Sequence, residues 1–209
     1  MLPKGLKNRN ENFHLTLFCQ IASEIYIKRK KMEQDIDRIL ISEAEIIAKI
    51  EELAIKISND YKDKFPVIIC ILKGAVLFMS DLIKNLKIPV EIDFMALSSY
   101  GNSTKSSGVV RIKKDIDVDI SGRDVIIVED IIDSGLTLKY IDDYFMKHNC
   151  KTIKICTLLD KPEAHKTDLT IDYVGFEIGN EFVVGYGLDY AQKYRNLPYI
   201  GILKQEIYQ

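Results

Sequence analysis

Apolar positions recur at helical spacing early in the chain. Ser42 followed by Glu45 is a capping-box pattern, and isoleucine, leucine or alanine then stands at positions 46, 47, 50, 53, 54 and 57. This spacing predicts an amphipathic helix. Two further helices are predicted at AVLFMSDLIKNL (75–86) and LKYIDDYFMK (138–147).

Short runs typical of buried strands lie between these helices. VIICIL (67–72) and VIIV (125–128) are continuously apolar, whereas VEIDFMALS (90–98) alternates polar and apolar residues. The other predicted strands are VVRIKK (109–114), TIKICTLL (152–159), IDYVGF (171–176) and EFVVGY (181–186). Continuous apolar strands that alternate with helices indicate a mostly parallel sheet covered on both faces, and hence an α/β fold.

The composition narrows the classes of function. The 209 residues are enough for one domain, and 47% apolar with 29% charged residues suits a folded core rather than a disordered or fibrous chain. The formal net charge of -2 gives no general reason to expect nucleic acid or a membrane as partner. An enzyme or a ligand-binding domain is therefore expected.

The four cysteines predict no zinc cage. They stand at positions 19, 70, 150 and 156 without a Cys-x-x-Cys pair, and only three histidines accompany them. We expect reduced cytosolic thiols, with Cys70 and Cys156 as small buried apolar side chains.

The first 31 residues differ from the rest of the chain. Residues 1–31 carry a net charge of +5, whereas residues 32–209 carry -7. The stretch FHLTLFCQIASEIYI (13–27) is apolar but shorter than the roughly 20 residues that span a bilayer. A secretory signal is an alternative, although a small-residue cleavage site is lacking. We expect an N-terminal extension whose native status the sequence leaves open, followed by a functional domain at 32–209.

One segment, VIIVEDIIDSGLTL (125–138), carries an unusual group of polar residues. The apolar strand leads into Glu129 and Asp130, and a loop from Asp133 to Thr137 then leads into a helix. Gly135 permits a tight turn, and the helix start offers unpaired N–H groups to a phosphate. The two carboxylates imply sugar hydroxyls or a divalent cation nearby. A phosphorylated ribose with Mg²⁺ meets both requirements.

Residues 125–137 resemble the phosphoribosyl-pyrophosphate signature of the type I phosphoribosyltransferases. The segments DFMALSSYGNSTKSSG (93–108), CTLLDKPEAHK (156–166) and EFVVGYGLDYAQKYRNLPYIG (181–201) are similar to those of the bacterial hypoxanthine (guanine) phosphoribosyltransferases. The resemblance covers residues 32–209, and residues 1–31 have no counterpart in the family pattern. It implies a single-domain fold with a central, mostly parallel sheet, helices on both faces, a small hood and a flexible loop.

The resemblance implies a role for each residue that binds the phosphoribosyl donor. Glu129 and Asp130 would hold the ribose hydroxyls and the magnesium shell. The 5'-phosphate would lie in the loop formed by Asp133, Ser134, Gly135, Leu136 and Thr137. Asp133 would also act as the general base at purine N7. Lys73, Gly74 and Arg195 would bind pyrophosphate, with a cis peptide bond before Lys73.

The resemblance also implies a purine site. Lys161 would donate to the O6 atom of hypoxanthine or guanine, whereas the amino group of adenine would meet it as donor against donor. Phe182 would stack on the purine, and backbone carbonyls near Val183 and Asp189 would accept hydrogen bonds from it. Asp189 lies, in addition, at the position of a second metal ligand. Ser99 and Tyr100 match a mobile flap that excludes water.

The resulting interpretation is a cytoplasmic, Mg²⁺-dependent purine salvage enzyme. Its partners would be 5-phosphoribosyl 1-pyrophosphate and a 6-oxopurine base, without nucleic acid or membrane, and it would form a homodimer or homotetramer. Two alternatives stay open from the sequence. One is a regulator of the same fold that binds phosphoribosyl pyrophosphate without catalysis, and the other is an enzyme that prefers xanthine.

Overall fold

The computed structural model describes residues 29–99, 110–168 and 170–209. The chain divides into two compact units, one that includes residues 29–38 with Leu203–Gln209 and one that comprises Ile39–Ile202. All predicted site residues lie within the bounds of the second unit. The predicted extension, residues 1–31, lies almost entirely outside the described residues, and its boundary stays a prediction.

Nine strands are described, and six of them form the central sheet. They are β1 (Ile36–Ile41), β2 (Val67–Leu72), β3 (Glu91–Ser99), β4 (Val110–Lys114), β5 (Asp124–Ile132), β6 (Thr152–Asp160), β7 (Tyr173–Glu177), β8 (Val183–Val184) and β9 (Ile200–Leu203). The central sheet has the order β4-β3-β2-β5-β6-β7. Every neighbouring pair is parallel except β3 and β4, which are antiparallel.

The helices cover both faces of this sheet. They are α1 (Glu43–Asp60), α2 (Val76–Asn85) and α3 (Leu136–Met146), with a short α4 (Gln205–Tyr208) and a 3₁₀ turn at Pro162–Ala164. The capping box of α1 is confirmed, because Ser42 Oγ accepts from the Glu45 N–H while Glu45 Oε2 accepts from the Ser42 N–H. No helix within the described ranges is long and apolar enough to cross a membrane.

Two apolar cores lie on opposite faces of the sheet. One includes Ile46, Ile50 and Phe78 of α1 and α2 with alternate residues of the strands, and the other includes Ile141 and Phe145 of α3. Cys70 and Cys156 are fully buried in the first core, as predicted. Each fully buried isoleucine or phenylalanine contributes roughly 1.5–3 kcal/mol of transfer free energy. The predicted α/β fold with helices on both faces is confirmed.

A second sheet of three strands, in the order β1-β9-β8, differs from the sequence prediction. The predicted strand at 181–186 is wrong in extent, because the strand comprises Val183 and Val184 alone, which pair with Ile202 and Gly201 of β9. Gly185 and Tyr186 have positive φ angles of 100° and 47°, which turn the backbone away from an extended strand. The strands β1 and β9 were not predicted from the apolar pattern.

The connections of the central sheet create a crevice between β2 and β5. The chain leaves the carboxyl end of β2 and moves to β3 on one side, whereas from β5 it moves to β6 on the other side. Ligands of open α/β sheets bind at such a switch point, beyond the carboxyl ends of the strands. The segments that follow β2 and β5, at residues 73–75 and 133–135, are those that the sequence singles out.

Candidate active site at the carboxyl edge of the sheet

The two adjacent carboxylates lie within β5 rather than after it, because the strand continues to Ile132. Successive side chains of a strand point to opposite faces. Asp130 lies against the loop after β2, where a Cβ atom at Gly74 would overlap its carboxylate. Glu129 instead lines a cavity of about 100 Å³ together with Asp133 and Thr137. The structure therefore brings both carboxylates to the site but from different sides.

The loop at residues 133–137 has the backbone that a phosphate requires. Gly135 has a φ of 76°, in the left-handed region that favours glycine, and it precedes α3. No side chain caps this helix at its N-terminus, and the first N–H groups of a helix have no partner within the helix. The loop is anchored from behind, since Lys166 N–H donates to the Ser134 carbonyl at 3.0 Å. Its shape and donors suit a phosphate monoester.

Burial and neighbouring negative charge disfavour the charged form of the two acids. Burial, followed by the charge of Asp130, raises the pKa of Glu129 well above its usual value. Burial raises the pKa of Asp130 to about 6, although backbone hydrogen bonds and the charge of Arg195 act in the opposite direction. Ligands that donate hydrogen bonds or carry positive charge would therefore offset the free-energy cost of keeping these two acids ionised.

The donor set fits a magnesium ion that is shared with a substrate. In the part of the chain that the structure describes, no three His, Cys, Asp or Glu side chains gather as a metal-binding group. Mg²⁺ is usually held by one or two carboxylates together with waters and substrate phosphate oxygens, rather than by a closed protein cage. Glu129, Asp130 and Asp189 supply carboxylates of this kind.

The loop after β2 lies between β5 and the segment at 185–195. The Leu72–Lys73 peptide bond is cis, as the family resemblance implies. A Cβ atom at Gly187 would overlap the carbonyl oxygen of Gly74, so the two backbones are in close contact. Lys73 Nζ donates to Gln192 Oε1 at 3.4 Å. Lys73 and Gly74 are thus brought beside residues more than 110 positions away.

Asp189 and Arg195 are paired directly. Arg195 Nη2 lies 2.5 Å from Asp189 Oδ1, and Arg195 Nη1 donates to the Gly187 carbonyl at 2.7 Å. The other Asp189 oxygen accepts from the Gln192 N–H at 2.8 Å. A guanidinium has five N–H donors, so Arg195 keeps donors for an anionic ligand while it holds Asp189.

The predicted purine residues form a neighbouring group. Lys161 Nζ donates to the Glu181 carbonyl at 2.9 Å. Glu181 directly precedes Phe182, so this bond brings the Lys161 ammonium to the segment that carries Phe182. The Phe182 ring is 37% exposed and meets Tyr190 edge-on, with centroids 5.6 Å apart. Val183 is buried in β8. An exposed aromatic face can stack on a base while an ammonium beside it donates a hydrogen bond to the edge of that base.

The predicted flap is described only at its base. Ser99 ends β3 and pairs with Val110 of β4, but Tyr100 lies outside the described residues, and so does the Ser99 side chain. Sequence reasoning also missed three residues that contact the predicted ones, namely Gln192, Gly187 and Tyr190. The Gly-Tyr-Gly run at 185–187 was the available signal for a close backbone approach.

A larger cavity, of about 460 Å³, lies at the opposite edge of the sheet. It is bounded by the end of α1 and by the first residues of β5, β6 and β7, and no predicted site residue lines it. Its three lysines are matched by three aspartates, namely Lys56, Lys64, Lys154, Asp60, Asp124 and Asp172. The site chemistry is therefore concentrated at the smaller cavity and the crevice beside it.

Comparison with known proteins decides the family. The model of the phosphoribosyl transferase domain matches residues 36–191, well over half of the chain. The chain belongs to the phosphoribosyltransferase family. This assignment covers both loops of the crevice, the acid pair and Lys161.

Similar phosphoribosyltransferases include two curated relatives named hypoxanthine-guanine phosphoribosyltransferase. That of Bacillus subtilis (strain 168) is 56% identical over 178 residues, which cover 85% of this chain and 99% of the relative. That of Streptococcus pyogenes serotype M3 (strain ATCC BAA-595 / MGAS315) is 55% identical over 177 residues, covering 85% of this chain and 98% of the relative.

Solved phosphoribosyltransferase structures share the fold. A crystal structure named as a hypoxanthine phosphoribosyltransferase from Staphylococcus aureus is 47% identical and superposes with a TM-score of 0.82. The match covers 85% of this chain and 97% of that chain. The type I phosphoribosyltransferase fold expected from the sequence is confirmed.

Proposed function

We propose that this phosphoribosyltransferase is a purine salvage enzyme. It transfers the 5-phosphoribosyl group from 5-phosphoribosyl 1-pyrophosphate to N9 of hypoxanthine and guanine, and gives IMP or GMP with pyrophosphate. The observation that carries the proposal is the convergence, at one switch point, of the 133–137 loop, the Lys73-Gly74 loop and the Asp189–Arg195 pair. The relatives with 55% and 56% identity support the same activity.

Each part of the donor has a matching group on the protein. The 5'-phosphate lies on the N–H groups of the 133–137 loop and on the hydroxyls of Ser134 and Thr137. The ribose hydroxyls donate to Glu129 and Asp130. Pyrophosphate is held by Lys73, Gly74 and Arg195. Fixing both halves of the donor aligns the bond that breaks and stabilises the separating charges.

The acceptor base is held from its edge and its face. Lys161 donates to O6, Phe182 stacks on the ring, and the backbone near Val183 and Asp189 accepts from the N1 edge. Asp133, which is exposed at the mouth of the loop, accepts the proton from N7. Residues Ser99 and Tyr100 belong to the flap that covers the reacting centre. These roles select a 6-oxopurine over adenine but do not separate guanine from xanthine.

Magnesium is the proposed cofactor. Glu129, Asp130 and Asp189 hold it through the oxygens of the substrate or of water. When bound, the ion supplies positive charge that balances the pyrophosphate leaving group. In its absence the carboxylates of Glu129 and Asp130 would face the anionic donor directly.

The function is tested by initial rates with hypoxanthine, guanine, xanthine and adenine, each with phosphoribosyl pyrophosphate. Turnover of hypoxanthine and guanine is expected with Mg²⁺, with adenine at background. EDTA should abolish the rate, and excess Mg²⁺ should restore it. Absence of turnover with every 6-oxopurine would contradict the proposed enzymatic activity. The alternative of a regulator that binds the donor without catalysis would then remain. A clear preference for xanthine would replace the proposed substrates.

Replacement of Lys161 by Gln should raise the KM for hypoxanthine about 10- to 100-fold, because a charge-assisted hydrogen bond is worth about 1.5–3 kcal/mol. Lys56→Gln is the matched control, since Lys56 Nζ donates to the Asp172 carbonyl at 3.0 Å just as Lys161 donates to Glu181. Steady-state kinetics with both variants make the comparison. Equal KM values for wild type and Lys161→Gln would remove Lys161 from O6 recognition.

The protein is proposed to be a cytoplasmic homodimer or homotetramer. Val76 and Leu77, in the first turn of α2, are 40% and 37% exposed although both are large and apolar. A subunit contact would bury them next to the pyrophosphate loop. Light scattering should give twice or four times the chain mass of 24.0 kDa.

A further inference from the structure

Tyr186 occupies an unusual position within the segment that carries Asp189 and Arg195. Its φ of 47° lies in the left-handed region, which a tyrosine rarely adopts, and its side chain is almost fully buried. The hydroxyl donates to Asp81 Oδ2 at 2.5 Å. None of the roles described above uses this tyrosine or this aspartate.

The two residues belong to opposite walls of the pyrophosphate site. Asp81 lies on α2, which continues directly from the Lys73-Gly74 loop, since Val76 N–H donates to the Lys73 carbonyl at 3.3 Å. Tyr186 lies in a tight turn whose next residue is bonded to Arg195, because Gly187 N–H donates to the Arg195 carbonyl at 2.9 Å. The Tyr186–Asp81 hydrogen bond therefore joins the element that carries Lys73 to the element that carries Arg195.

Two other contacts join these walls. The first is a hydrogen bond of 3.4 Å between exposed side chains, from Lys73 Nζ to Gln192 Oε1, and exposed groups of this kind compete with water. The second is a backbone contact. Gly187 packs on the Gly74 carbonyl through backbone contact. Such a contact limits how closely the walls approach but allows them to slide. The Tyr186 hydroxyl adds a directional restraint, because hydrogen bonds weaken steeply away from linear geometry.

The electrostatics keep this bond in place around neutral pH. Burial raises the pKa of Asp81, but hydrogen bonds from Lys84 and Tyr186 lower it more, so the net shift is downward. Burial and the bond to Asp81 raise the pKa of Tyr186. The phenol therefore stays a donor and the carboxylate stays a charged acceptor, which is the stronger kind of hydrogen bond.

We propose that Tyr186 and Asp81 form a positioning pair that sets the spacing between the Lys73-Gly74 loop and the Asp189–Arg195 ion pair, and thereby the affinity for the pyrophosphate group. Neither residue has a proposed contact with the substrate. The inference rests on the proposed pyrophosphate roles of Lys73, Gly74 and Arg195. It goes beyond them by assigning the geometry of that site to a bond outside it.

The chain offers a matched control for the test. Tyr173 is also a buried tyrosine that donates to an aspartate on a helix, Asp60 of α1, at 2.8 Å. That bond lies at the opposite edge of the sheet, beside the larger cavity. Tyr186→Phe and Tyr173→Phe each remove one oxygen and one tyrosine–aspartate bond, so their effects on stability should be similar.

The pair is tested by calorimetric binding of phosphoribosyl pyrophosphate with Mg²⁺ and by steady-state kinetics on both variants. Tyr186→Phe should raise the Kd and the KM for the donor about fivefold or more, with kcat and the hypoxanthine KM changed less than twofold. Tyr173→Phe should leave all four values within twofold of wild type. Asp81→Asn, which keeps an acceptor oxygen, should stay closer to wild type than Asp81→Leu.

Donor binding that is equal in wild type and Tyr186→Phe would overturn the pair, and so would an equal loss in Tyr173→Phe. These outcomes are distinct from failure of the proposed function. A wild-type protein without turnover of hypoxanthine would contradict the activity, whereas the Kd values would still decide whether Tyr186 positions the donor site.

Discussion

Asp133→Asn is expected to lower kcat with hypoxanthine about a hundredfold or more, because general base catalysis contributes typically 10²–10⁴-fold. Asparagine has nearly the same shape but cannot take up the proton from N7. The Asp133 side chain is exposed and begins the 133–137 loop directly after β5, so the substitution should leave the melting temperature unchanged. The donor KM should change little, since the phosphate contacts proposed for the 133–137 loop are mainly backbone N–H groups.

The matched control for this prediction is Asp143→Asn. Asp143 is an exposed aspartate on α3, paired with Lys139 at 3.1 Å, and its replacement changes the net charge by the same amount. It should therefore report any effect of charge alone. If kcat for Asp133→Asn stays within threefold of wild type while Asp143→Asn behaves likewise, another group performs the proton transfer.

Gly74→Ala should reduce kcat/KM for phosphoribosyl pyrophosphate about a hundredfold, because the new methyl group would overlap the Asp130 carboxylate. Either Asp130 or the Lys73-Gly74 loop must move, and a misplacement of about 1 Å at a catalytic site can cost that much. The KM for hypoxanthine should change much less, since Lys161 and Phe182 lie on a different segment. Kinetics with each substrate varied in turn separate the two effects.

Gly122→Ala controls for the loss of a glycine. Gly122 has a φ of 70° but nothing within 4 Å of its added Cβ, so its replacement tests backbone strain without a clash. It should cost about 1 kcal/mol of stability and leave the kinetics unchanged. If Gly74→Ala and wild type have equal kcat/KM values for phosphoribosyl pyrophosphate, the close contact between Gly74 and Asp130 does not contribute to activity.

The main sheet could be predicted from sequence because each of its strands has a recognisable pattern within its own few residues. VIICIL and VIIV have apolar side chains on both faces of the strand, so both faces must be buried. The apolar residues of β2 and β5 are indeed buried or nearly so. The helix α1 was equally clear from its capping box and its spacing. The turn at residues 133–137 could be predicted because Gly135, with its positive φ, and the helix start after it are neighbours in the chain.

The second sheet and the assembly of the site could not be predicted because they depend on distant contacts. Val183 and Val184 pair with β9, whose four residues give too short a run to be assigned on their own. Gly187 faces Gly74, and Lys73 reaches Gln192, across more than 110 positions. The turns at Tyr186 and Gln192 need positive φ at residues that give no such signal.

The separation of Glu129 and Asp130 shows a different limit. Ending the predicted strand at Val128 made the two acids appear as one group after it. The strand in fact continues to Ile132, so the alternation of side chains places Asp130 against Gly74 and Glu129 in the cavity beside the 133–137 loop. A shift of four residues in the position of the strand end thus changes which parts of the site each acid can contact.

The location of the site is tested most directly by a crystal structure of the protein with IMP. The phosphate is expected on the N–H groups of residues 134–137, the base against Phe182, and O6 within hydrogen-bond distance of Lys161 Nζ. Nucleotide bound in the larger cavity lined by Lys56, Lys64 and Lys154, with the 133–137 loop empty, would contradict the assignment of the active site to the β2–β5 crevice.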